Sequence, residues 1–555
     1  MNAERLLTLY ERIADGPDAI LHLRRFILDL AVRGKLVPQN PKDKPAQFMP
    51  SIAGKAQHAR QPAAKGRARE EQPYALPDTW RWVCIGDQLE LLNGMAFKPS
   101  DWTPSGIRIV RIQNLNRRDA PFNFCSPGSA RERSLIDDGS FLISWSGTPG
   151  TSFGAFIWDR GPAVLNQHIF RCDFKTDAFL PEYLQIAING RLDEMIEKAH
   201  GGVGLQHITK GKLEAMLIAL PPLAEQHRIV AKVDELKALC DRLEAARAER
   251  EVTRDRLTAA SLARLNTPDL DPAIFATHAR FALDHLPALT ARPDQIKHLR
   301  QTILTMAVRG ELVPQDPNDE PAITFDKALP DDVEPPFAIP ARWKWARLRT
   351  LGKLKGGGTP SKARDEFWNG RIPWVSPKDM KIDYISTAQL HITEAAVIAS
   401  AANLIRAGSI LFVVRGMILA HSFPVAISGV PLAINQDMKA LEPKRPEMAE
   451  FLLRALKGLK LEMLKRVQRS SHGTCRIEGS DYGDLLIPIP PLREQHRIVA
   501  KVDALVALCD SLEQSLAAGE ATRRRLLEAL LSEALASKRE VRGATKQDAQ
   551  IDDAA

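Results

Sequence analysis

The sequence predicts an α+β fold, with two mixed α/β globular modules separated by a pair of long antiparallel coiled-coil helices in an internal pseudo-twofold repeat. The first observation is a duplicated segment, because residues 221–243, PPLAEQHRIVAKVDELKALCDRL, return 269 positions later as residues 490–512. Both copies place apolar residues after two prolines in steps of four and three, which is typical of a helix with one apolar seam. Such a seam must be buried, so we expect each long helix to pack against the other.

A second duplicated segment precedes each globular module. Residues 20–46, ILHLRRFILDLAVRGKLVPQNPKDKPA, return as residues 296–322, IKHLRQTILTMAVRGELVPQDPNDEPA. The shared pattern predicts a helix that ends at Gly34 or Gly310. An extended Leu-Val-Pro-Gln stretch follows, in which proline blocks further helix.

The globular modules begin at a Trp-x-Trp motif, which lies in residues 76–82 of the first and 339–345 of the second. Alternating residues such as 108–112 predict strands, and residues 139–147 and 408–416 predict buried strands that lead into a Gly-Ser turn. Between these shared positions the polar loops differ nearly everywhere. We therefore interpret the modules, called head one and head two below, as recognition domains for different targets.

The composition changes along the chain divide it into eight segments. The basic segment after the first duplicated helix predicts a flexible linker, and the polar tail predicts disorder. The segments are a helical segment at 1–46, the linker at 47–75, head one at 76–220, a long helix at 221–265, a connector with the second helical segment at 266–338, head two at 339–489, a second long helix at 490–536 and the tail at 537–555.

Length and composition exclude several classes of protein. A chain of 555 residues is too long for one core, and its net charge of +8 suits a polyanionic partner without requiring one. The six cysteines form no CxxC pair, so neither a zinc ribbon nor a redox dithiol is indicated. Cys240 and Cys509 occupy equivalent seam positions and are interpreted as buried thiols. Because no secretory or bilayer-spanning apolar run occurs, we expect a cytoplasmic protein.

Four sequence features make the chain resemble the specificity subunit of type I restriction–modification systems over residues 20–535. They are the twin PPLxEQHRIVAKVD segments, the twin AVRGxLVPQ segments, the Trp-x-Trp module starts, and the GGTPS loop at 357–361 with IPWVSPKDM at 372–380. In that family two target-recognition domains each read one half of a split DNA site. The paired long helices hold these domains apart.

The resemblance implies a non-catalytic DNA-recognition subunit of a type I restriction endonuclease and adenine-N6 methyltransferase complex. The implied partners are double-stranded DNA, two modification subunits and the translocating restriction subunits. S-adenosylmethionine, ATP and magnesium are expected on those partner subunits, and this chain is expected to bind no cofactor itself. Long helices of about 66 Å, at about 1.5 Å per residue, would then set the spacer between the half-sites.

Candidate DNA-binding residues follow from the polar loops of the two heads. Base edges are read by hydrogen bonds, while lysine and arginine hold phosphates. The candidates in head one are Lys98, Arg111, Gln113, Asn114, Asn116, Ser146, Thr148, Ser152 and Gln206. Those in head two are Lys355, Thr359, Ser361, Lys362, Arg364, Ser376, Lys378, Arg415, Arg469, Ser471 and His472. The same strand-end position changes from Ser146 to Arg415, which predicts that Arg415→Ala relaxes only the second half-site.

Identical polar residues of the long helices, which we expect to be exposed, are the candidates for partner docking. They are Glu225, Gln226, Arg228 and Lys232 in the first helix, and Glu494, Gln495, Arg497 and Lys501 in the second. The alternative is an intramolecular role, in which these residues join the start of each long helix to its head.

No catalytic or metal-binding constellation occurs in the sequence. The phosphate-binding pattern GxxxxGK[ST], the dinucleotide pattern GxGxxG and the Asn/Asp-Pro-Pro-aromatic segment of adenine methyltransferases all lack a match. Two alternative interpretations stay open, a two-headed coiled-coil scaffold or RNA-binding adaptor, and a self-sufficient modifying enzyme. Single-strand binding needs exposed aromatic side chains for stacking, and only 6% of the residues are aromatic.

Overall fold

The structure is a computed structural model that describes residues 16, 18–46, 72–147, 153–197, 200–202, 205–267, 271–325, 334–469 and 473–535. The chain divides into two compact units, Met1–Ala248 with Glu520–Ala555, and Glu249–Gly519. Each unit contains one head, the first part of one long helix and the last part of the other. The first 15 residues of the predicted helical segment 1–46, the predicted tail at 537–555 and most of the basic linker lie outside the described residues.

Unit 1 begins with helix α1 (Ala19–Val32), which ends before Gly34 with a φ of +65°. A Cβ at Gly34 would lie 2.5 Å from the Pro77 ring, so the turn requires glycine. The strands of head one are β1 (Arg81–Cys84), β2 (Leu89–Asn93), β3 (Ile107–Val110), β4 (Asn123–Cys125), β5 (Leu135–Ile136), β6 (Phe141–Ser144), β7 (Ser146–Gly147), β8 (Gly154–Ile157), β9 (Ala163–Leu165), β10 (Ile169–Phe174), β11 (His200–Gly202), β12 (Leu205–His207) and β13 (Leu217–Leu220). Its helices are α2 (Ile85–Gln88), α3 (Ile112–Asn116), α4 (Pro181–Asn189), α5 (Leu192–Glu197) and α6 (Lys210–Ala215).

Head one is built from two four-stranded sheets, in the orders β2-β10-β6-β8 and β4-β3-β9-β5. All four residues of β6 are buried, and successive side chains of a strand point to opposite faces, so both faces of β6 are covered. Phe141 and Ile143 pack in the main core with α4, whereas Leu142 packs in a second core with Trp158. The short pair β1 and β13 closes the head and leads directly into helix α7 (Leu223–Leu265), the first long helix.

The first half of the α7 seam is buried inside unit 1. Ile229, Val233 and Cys240 pack with Ile27 and Ala31 of α1 and with the core of head one. The sequence predicts that this seam packs against the other long helix, but over residues 229–240 the structure packs it against its own unit. None of the six cysteines, all of them among the described residues, forms a disulfide, and Cys240 is buried as predicted.

Unit 2 repeats this plan with a connector before it. The helices after α7 are α8 (Pro272–Asp284), α9 (Leu286–Leu289), α10 (Pro293–Arg309), α11 (Glu394–Ala399), α12 (Ala449–Gly458), α13 (Lys460–Leu464), α14 (Gly479–Gly483) and α15 (Leu492–Leu535), the second long helix. The strands are β14 (Lys344–Arg347), β15 (Gly352–Gly356), β16 (Trp368–Val375), β17 (Tyr384–Ile385), β18 (Leu390–Ile392), β19 (Leu404–Ile405), β20 (Ile410–Val413), β21 (Val425–Ser428), β22 (Leu432–Ile434), β23 (Met438–Pro443), β24 (Gln468–Arg469), β25 (Cys475–Arg476) and β26 (Leu486–Ile489). Its larger sheets have the orders β15-β23-β20-β21-β17 and β18-β16-β22-β19.

The last part of α7 runs alongside α10 in the same direction within unit 2. At the start of α10, Arg292 pairs with Glu251 at 2.7 Å. Further along both helices, Asn266 Nδ2, just after α7, donates to Thr302 Oγ1 of α10 at 3.0 Å. The residue numbers at the two contacts therefore rise together along α7 and α10, which means that the two helices are parallel.

The first part of α15 runs past the second helical segment in the opposite direction. Arg300 contacts Glu513 at 3.0 Å, whereas Gln315 contacts Glu494 at 2.6 Å, so one residue number rises as the other falls. The two long helices are therefore antiparallel within unit 2, as the sequence predicts. In unit 1, the last turns of α15 contact α1, where Leu527 packs with Ala19.

Candidate nucleic-acid interface

Each long helix begins at a polar clamp that ties it to its head. In unit 1, Trp80 Nε1 donates to Glu225 Oε2 at 2.9 Å and Gln39 Nε2 donates to Glu225 Oε1 at 2.6 Å. In unit 2 the same donations, from Trp343 and Gln315 to Glu494, measure 3.0 and 2.6 Å. We call these two sets of residues the helix-start clamps.

The clamp carboxylates are buried, and Glu225 is only 1% exposed. Burial raises the pKa of Glu225, and the hydrogen bonds from Trp80 and Gln39 oppose that rise. The pKa of Glu494 is raised for the same reason, with Trp343 and Gln315 opposing it. The paired donors are what allow a carboxylate to stay at this position, because an unpaired buried charge would be costly.

The neighbouring glutamines are buried too. Gln226 Nε2 donates to the Ala178 carbonyl at 2.8 Å, and its Oε1 accepts from Leu180 N at 2.8 Å, which ties α7 to the start of α4. Gln495 Nε2 donates to the Pro490 carbonyl at 2.9 Å.

These positions correct the sequence-based premise that the identical polar residues are exposed. Glu225, Gln226, Glu494 and Gln495 face the interior of their own units, so the intramolecular alternative describes their contacts. The premise fails because the first turn of each long helix is covered by the head that leads into it.

The remaining partner-docking candidates lie nearer the surface. Arg228 pairs with Asp43, and Arg497 pairs with Asp319 at 2.6 Å, so both arginines also tie the long helix to the extended segment after α1 or α10. Lys232 contacts Glu235 at 2.9 Å at the surface. Lys501 is exposed.

The candidates in head one divide by burial. Lys98, Gln113 and Asn116 are exposed, and Arg111 is half-buried with its guanidinium 6.0 Å from the Trp102 ring. Thr148 and Ser152 lie outside the described residues. Gln206 lies in β12 with its backbone opposite Gly147, and its side chain is not among those described.

Two of the head-one candidates are buried, which corrects their assignment to a DNA surface. Asn114 is fully buried, its Oδ1 accepts from Arg111 N at 3.0 Å and its Nδ2 donates to the Ala120 carbonyl at 3.1 Å. These bonds hold the turn of α3, so the side chain has no free edge for a base. Ser146 is buried in β7, just after β6, and pairs through its backbone with His207.

The glycine-rich loop of head two packs against its own backbone. A Cβ at Gly357 would lie 2.0 Å from the Asn435 carbonyl oxygen, and one at Gly358 would lie 2.3 Å from the Ala401 carbonyl oxygen. The glycines therefore permit a close approach between loops, and Thr359 at the end of the loop hydrogen-bonds Gln436. After them, the loop exposes three of the predicted residues, Ser361, Lys362 and Arg364.

Two head-two candidates are held by internal contacts. Lys355 Nζ pairs with Glu442 at 2.8 Å and donates to the Leu404 carbonyl at 3.1 Å. Ser376 donates from its hydroxyl to Asp379 Oδ2 at 2.8 Å. These groups have fewer sites left for DNA than the exposed Lys378 of the same loop.

The exposed end of β20 carries the strongest basic feature of head two. Arg415 is exposed and forms an antiparallel bridge with Arg476, and Arg469 is exposed on the adjoining hairpin strand β24. Ser471 and His472 lie outside the described residues.

Two residues of this surface were missed at the sequence level. Arg476 lies on β25, and Met417 just after the bridge is 60% exposed. The signal for Arg476 was present, because the matched segments 204–208 and 473–477 place arginine where the first copy has histidine. No described group of His, Cys, Asp and Glu side chains is arranged to hold a metal ion.

Comparison with known proteins identifies the family. The family profile described as "Type I restriction modification DNA specificity domain" matches residues 77–254 and again residues 340–518, which together cover more than half of the chain. The chain belongs to this family.

Several relatives match this chain, one of them over most of its length. The type I restriction enzyme EcoAI specificity subunit of Escherichia coli is 25% identical over 93% of this chain and 94% of its own length. The EcoR124I/EcoR124II specificity subunit of Escherichia coli is 37% identical, over 31% of this chain and 43% of its own. A chain solved in a study of complex assembly in the type I R-M system has a TM-score of 0.52 at 21% identity, covering 83% of this chain and 99% of that one, which supports the fold.

The specificity-subunit family decides between the interpretations that the sequence left open. Two DNA specificity domains on one chain support sequence recognition of DNA over a scaffold or RNA adaptor. The relatives are specificity subunits, so this chain is a non-catalytic recognition component of a type I system. Within the described part of the chain, no helix is long and apolar enough to span a bilayer.

Proposed function

We propose that this specificity subunit binds the two halves of a bipartite double-stranded DNA site, one half with each head. Two modification subunits would dock on the duplicated helical parts and methylate adenines, and restriction subunits would join the assembly. S-adenosylmethionine, ATP and magnesium would then be bound by those partners, and this chain would bind no cofactor.

The main support for this proposal is that the two heads have the same helix-start clamp but different residues at the equivalent strand end. Each head is fixed to its long helix by a helix-start clamp with the same donors and the same acceptor, and the distances agree within 0.1 Å. The strand end beyond that clamp differs, with buried Ser146 in head one and exposed Arg415 in head two. Two heads that are held in the same way but expose different residues are suited to binding two different half-sites.

The long helices support a fixed spacing between the half-sites. α7 has 43 residues and α15 has 44, which at about 1.5 Å per residue gives a rod of about 65 Å. Half-sites one helical turn of DNA apart, on the order of 35 Å, are within that reach. Inserting one heptad into both helices is expected to lengthen the spacer between the recognised half-sites.

Partner docking is proposed for the residues that stay accessible. Lys232 and Lys501 occupy equivalent surface positions on the two long helices, so one partner surface could recognise both. Two equivalent surfaces on one chain would accommodate two modification subunits. Lys232→Glu and Lys501→Glu should each weaken the binding of one modification subunit and leave the other in place.

Mapping of methylated adenines in the source cell, with and without this gene, tests the proposal. We expect a bipartite motif with a fixed spacer that disappears when the gene is removed. Salt-dependent binding of the purified chain to duplex and to single strands provides the second measurement. A methylation pattern that is unchanged without the gene, or a preference for single strands, would contradict the proposal.

A further inference from the structure

Three neighbouring strands of head two form a cross-strand row of side chains. Arg415 at the end of β20 lies directly opposite Arg476, and Arg476 lies directly opposite Gln468. Residues that are directly opposite in antiparallel pairing project from the same face, with Cβ atoms about 5 Å apart. The side chains of two arginines and one glutamine therefore leave the sheet on the same face, and we call Arg415, Arg476 and Gln468 the arginine row.

The backbone holds the arginine row firmly. Arg415 N donates to the Asp437 carbonyl at 3.1 Å, and Gly416 N donates to the Cys475 carbonyl at 2.9 Å. Ile477 N, just after Arg476, donates to the Val414 carbonyl at 2.9 Å. Because both ends of the bridge are hydrogen-bonded, the two arginines are presented from a rigid edge.

The charges of the row are only partly compensated within the chain. Glu478 contacts Arg476 Nε at 2.9 Å, and the Arg476 side chain is still 52% exposed. Among the described residues, the terminal nitrogens of Arg476 and the guanidinium of Arg415 have no ion-pair partner. Like charges directly opposite each other are destabilising, so this arrangement favours a ligand that supplies acceptors.

The equivalent position in head one has different chemistry. There, β7, β12 and β11 pair so that Ser146 lies opposite His207 and His207 lies opposite His200. The hairpin of head two is shifted by one residue, since Gln468 rather than Arg469 lies opposite Arg476. The equivalent positions of the two heads therefore differ both in residue type and in backbone register.

We infer that Arg476, together with Arg415, is a specificity-determining residue of head two that reads guanine in its half-site. This inference rests on the proposed function. Guanine offers O6 and N7 as paired acceptors in the major groove, which match the planar fork of arginine. Glu478 contacts the Nε of Arg476 at 2.9 Å while the side chain stays 52% exposed, so the two terminal nitrogens of its planar fork are left for a bidentate ligand.

The experiment uses the full chain assembled with its modification subunits and duplexes that vary at each position of the mapped motif. Arg476→Ala and Arg415→Ala are each expected to reduce discrimination at a G·C pair of one half-site about 5- to 150-fold. The other half-site should stay unchanged in the same reactions. Arg476→Lys should restore binding to DNA in general without restoring that discrimination. A 7-deazaguanine at the affected position should reduce methylation by the assembly with the native chain, and should have little further effect on assemblies with the alanine variants.

Arg445→Ala is the matched control, because Arg445 also pairs with a glutamate two residues further on, at 3.4 Å, and lies outside the row. Its discrimination should equal that of the native chain. Equal loss of methylation on all sequences in the row variants would indicate phosphate contacts and overturn the inference, as would unchanged discrimination. If the native assembly shows no bipartite motif, the proposed function itself fails; a native motif with unaffected variants refutes the guanine assignment alone.

Discussion

The helix-start clamp predicts that the two tryptophans of the first Trp-x-Trp motif contribute very differently to stability. Trp80 donates to the buried carboxylate of Glu225, whereas Trp82 Nε1 is buried with no hydrogen-bond partner among the described residues. Trp80→Phe therefore leaves a buried charge with one donor fewer. Trp82→Phe removes an indole N–H that no described group accepts.

The magnitude follows from the kind of contact that is lost. A hydrogen bond to a charged group contributes about 1.5–3 kcal/mol, and the smaller ring loses some packing, so Trp80→Phe should cost about 2–4 kcal/mol. Trp82→Phe loses packing against Tyr74 and the Arg191 guanidinium, about 1 kcal/mol or less. In unit 2, Trp343→Phe should cost as much as Trp80→Phe, because the donor distance is 3.0 Å instead of 2.9 Å.

Hydrogen exchange measured by mass spectrometry gives the local free energies, since a chain with two units need not unfold in one step. In Trp80→Phe, amides of the first turns of α7 should exchange about 30- to 900-fold faster, while α15 stays protected. Trp343→Phe should show the converse. Equal protection in Trp80→Phe and Trp82→Phe would refute the clamp.

The pH dependence gives a second readout with a definite sign. Because burial raises the pKa of Glu225 in the folded state, its ionisation lowers stability as pH rises from the ordinary glutamate range through that raised pKa. Removing the Trp80 donor raises the pKa further. The cost of Trp80→Phe should thus be larger at pH 7.5 than at pH 4, and Glu225→Gln should abolish most of this difference.

Three further predictions concern other contacts of the described residues. Asp503→Ala should destabilise unit 2 by about 1.5–3 kcal/mol, seen as faster exchange in α12, because it removes the 2.8 Å partner of an Arg454 side chain that is only 8% exposed. Gly357→Ala should disturb head two alone, lowering discrimination at one half-site, because its Cβ would meet the Asn435 carbonyl; unchanged discrimination would contradict this. A thiol reagent should modify the native chain quickly at Cys84 and slowly elsewhere, since the other five cysteines are buried; rapid reaction of more than one thiol would contradict the core packing.

The repeat carries most of what the sequence could predict about the fold. Identity over residues 225–234 and 494–503 predicts two equivalent long helices, and α7 and α15 each begin two residues before those stretches. The family is confirmed by the profile matches in both halves. These predictions succeed because helix periodicity and proline placement are local, and duplication doubles the signal.

Burial of polar residues could not be predicted in the same way. Periodicity assigns Ile229 to the buried seam, and it leaves Glu225 and Gln226 on what would be the open side of an isolated helix. The structure buries both, because β13 leads directly into α7 and the head covers its first turn. The identity of these residues in both copies was a correct signal of constraint. Its cause is a long-range contact with Trp80, which lies 145 positions earlier in the chain.

The arginine row illustrates why the roles of single residues are harder to predict from sequence than the fold. Whether Arg476 faces Arg415 depends on the register of a hairpin, and a shift of one residue separates the two heads at this point. Register is set by pairing across the sheet and by turn length, so neither sequence alone reveals which side chains share a face. The helix-start clamp can therefore stay the same while one substitution, or one shift in strand pairing, changes the side chains of the arginine row. A protein that must acquire new DNA specificities without losing its fold gains from that separation, because the clamp residues and the row residues share no contact among those described.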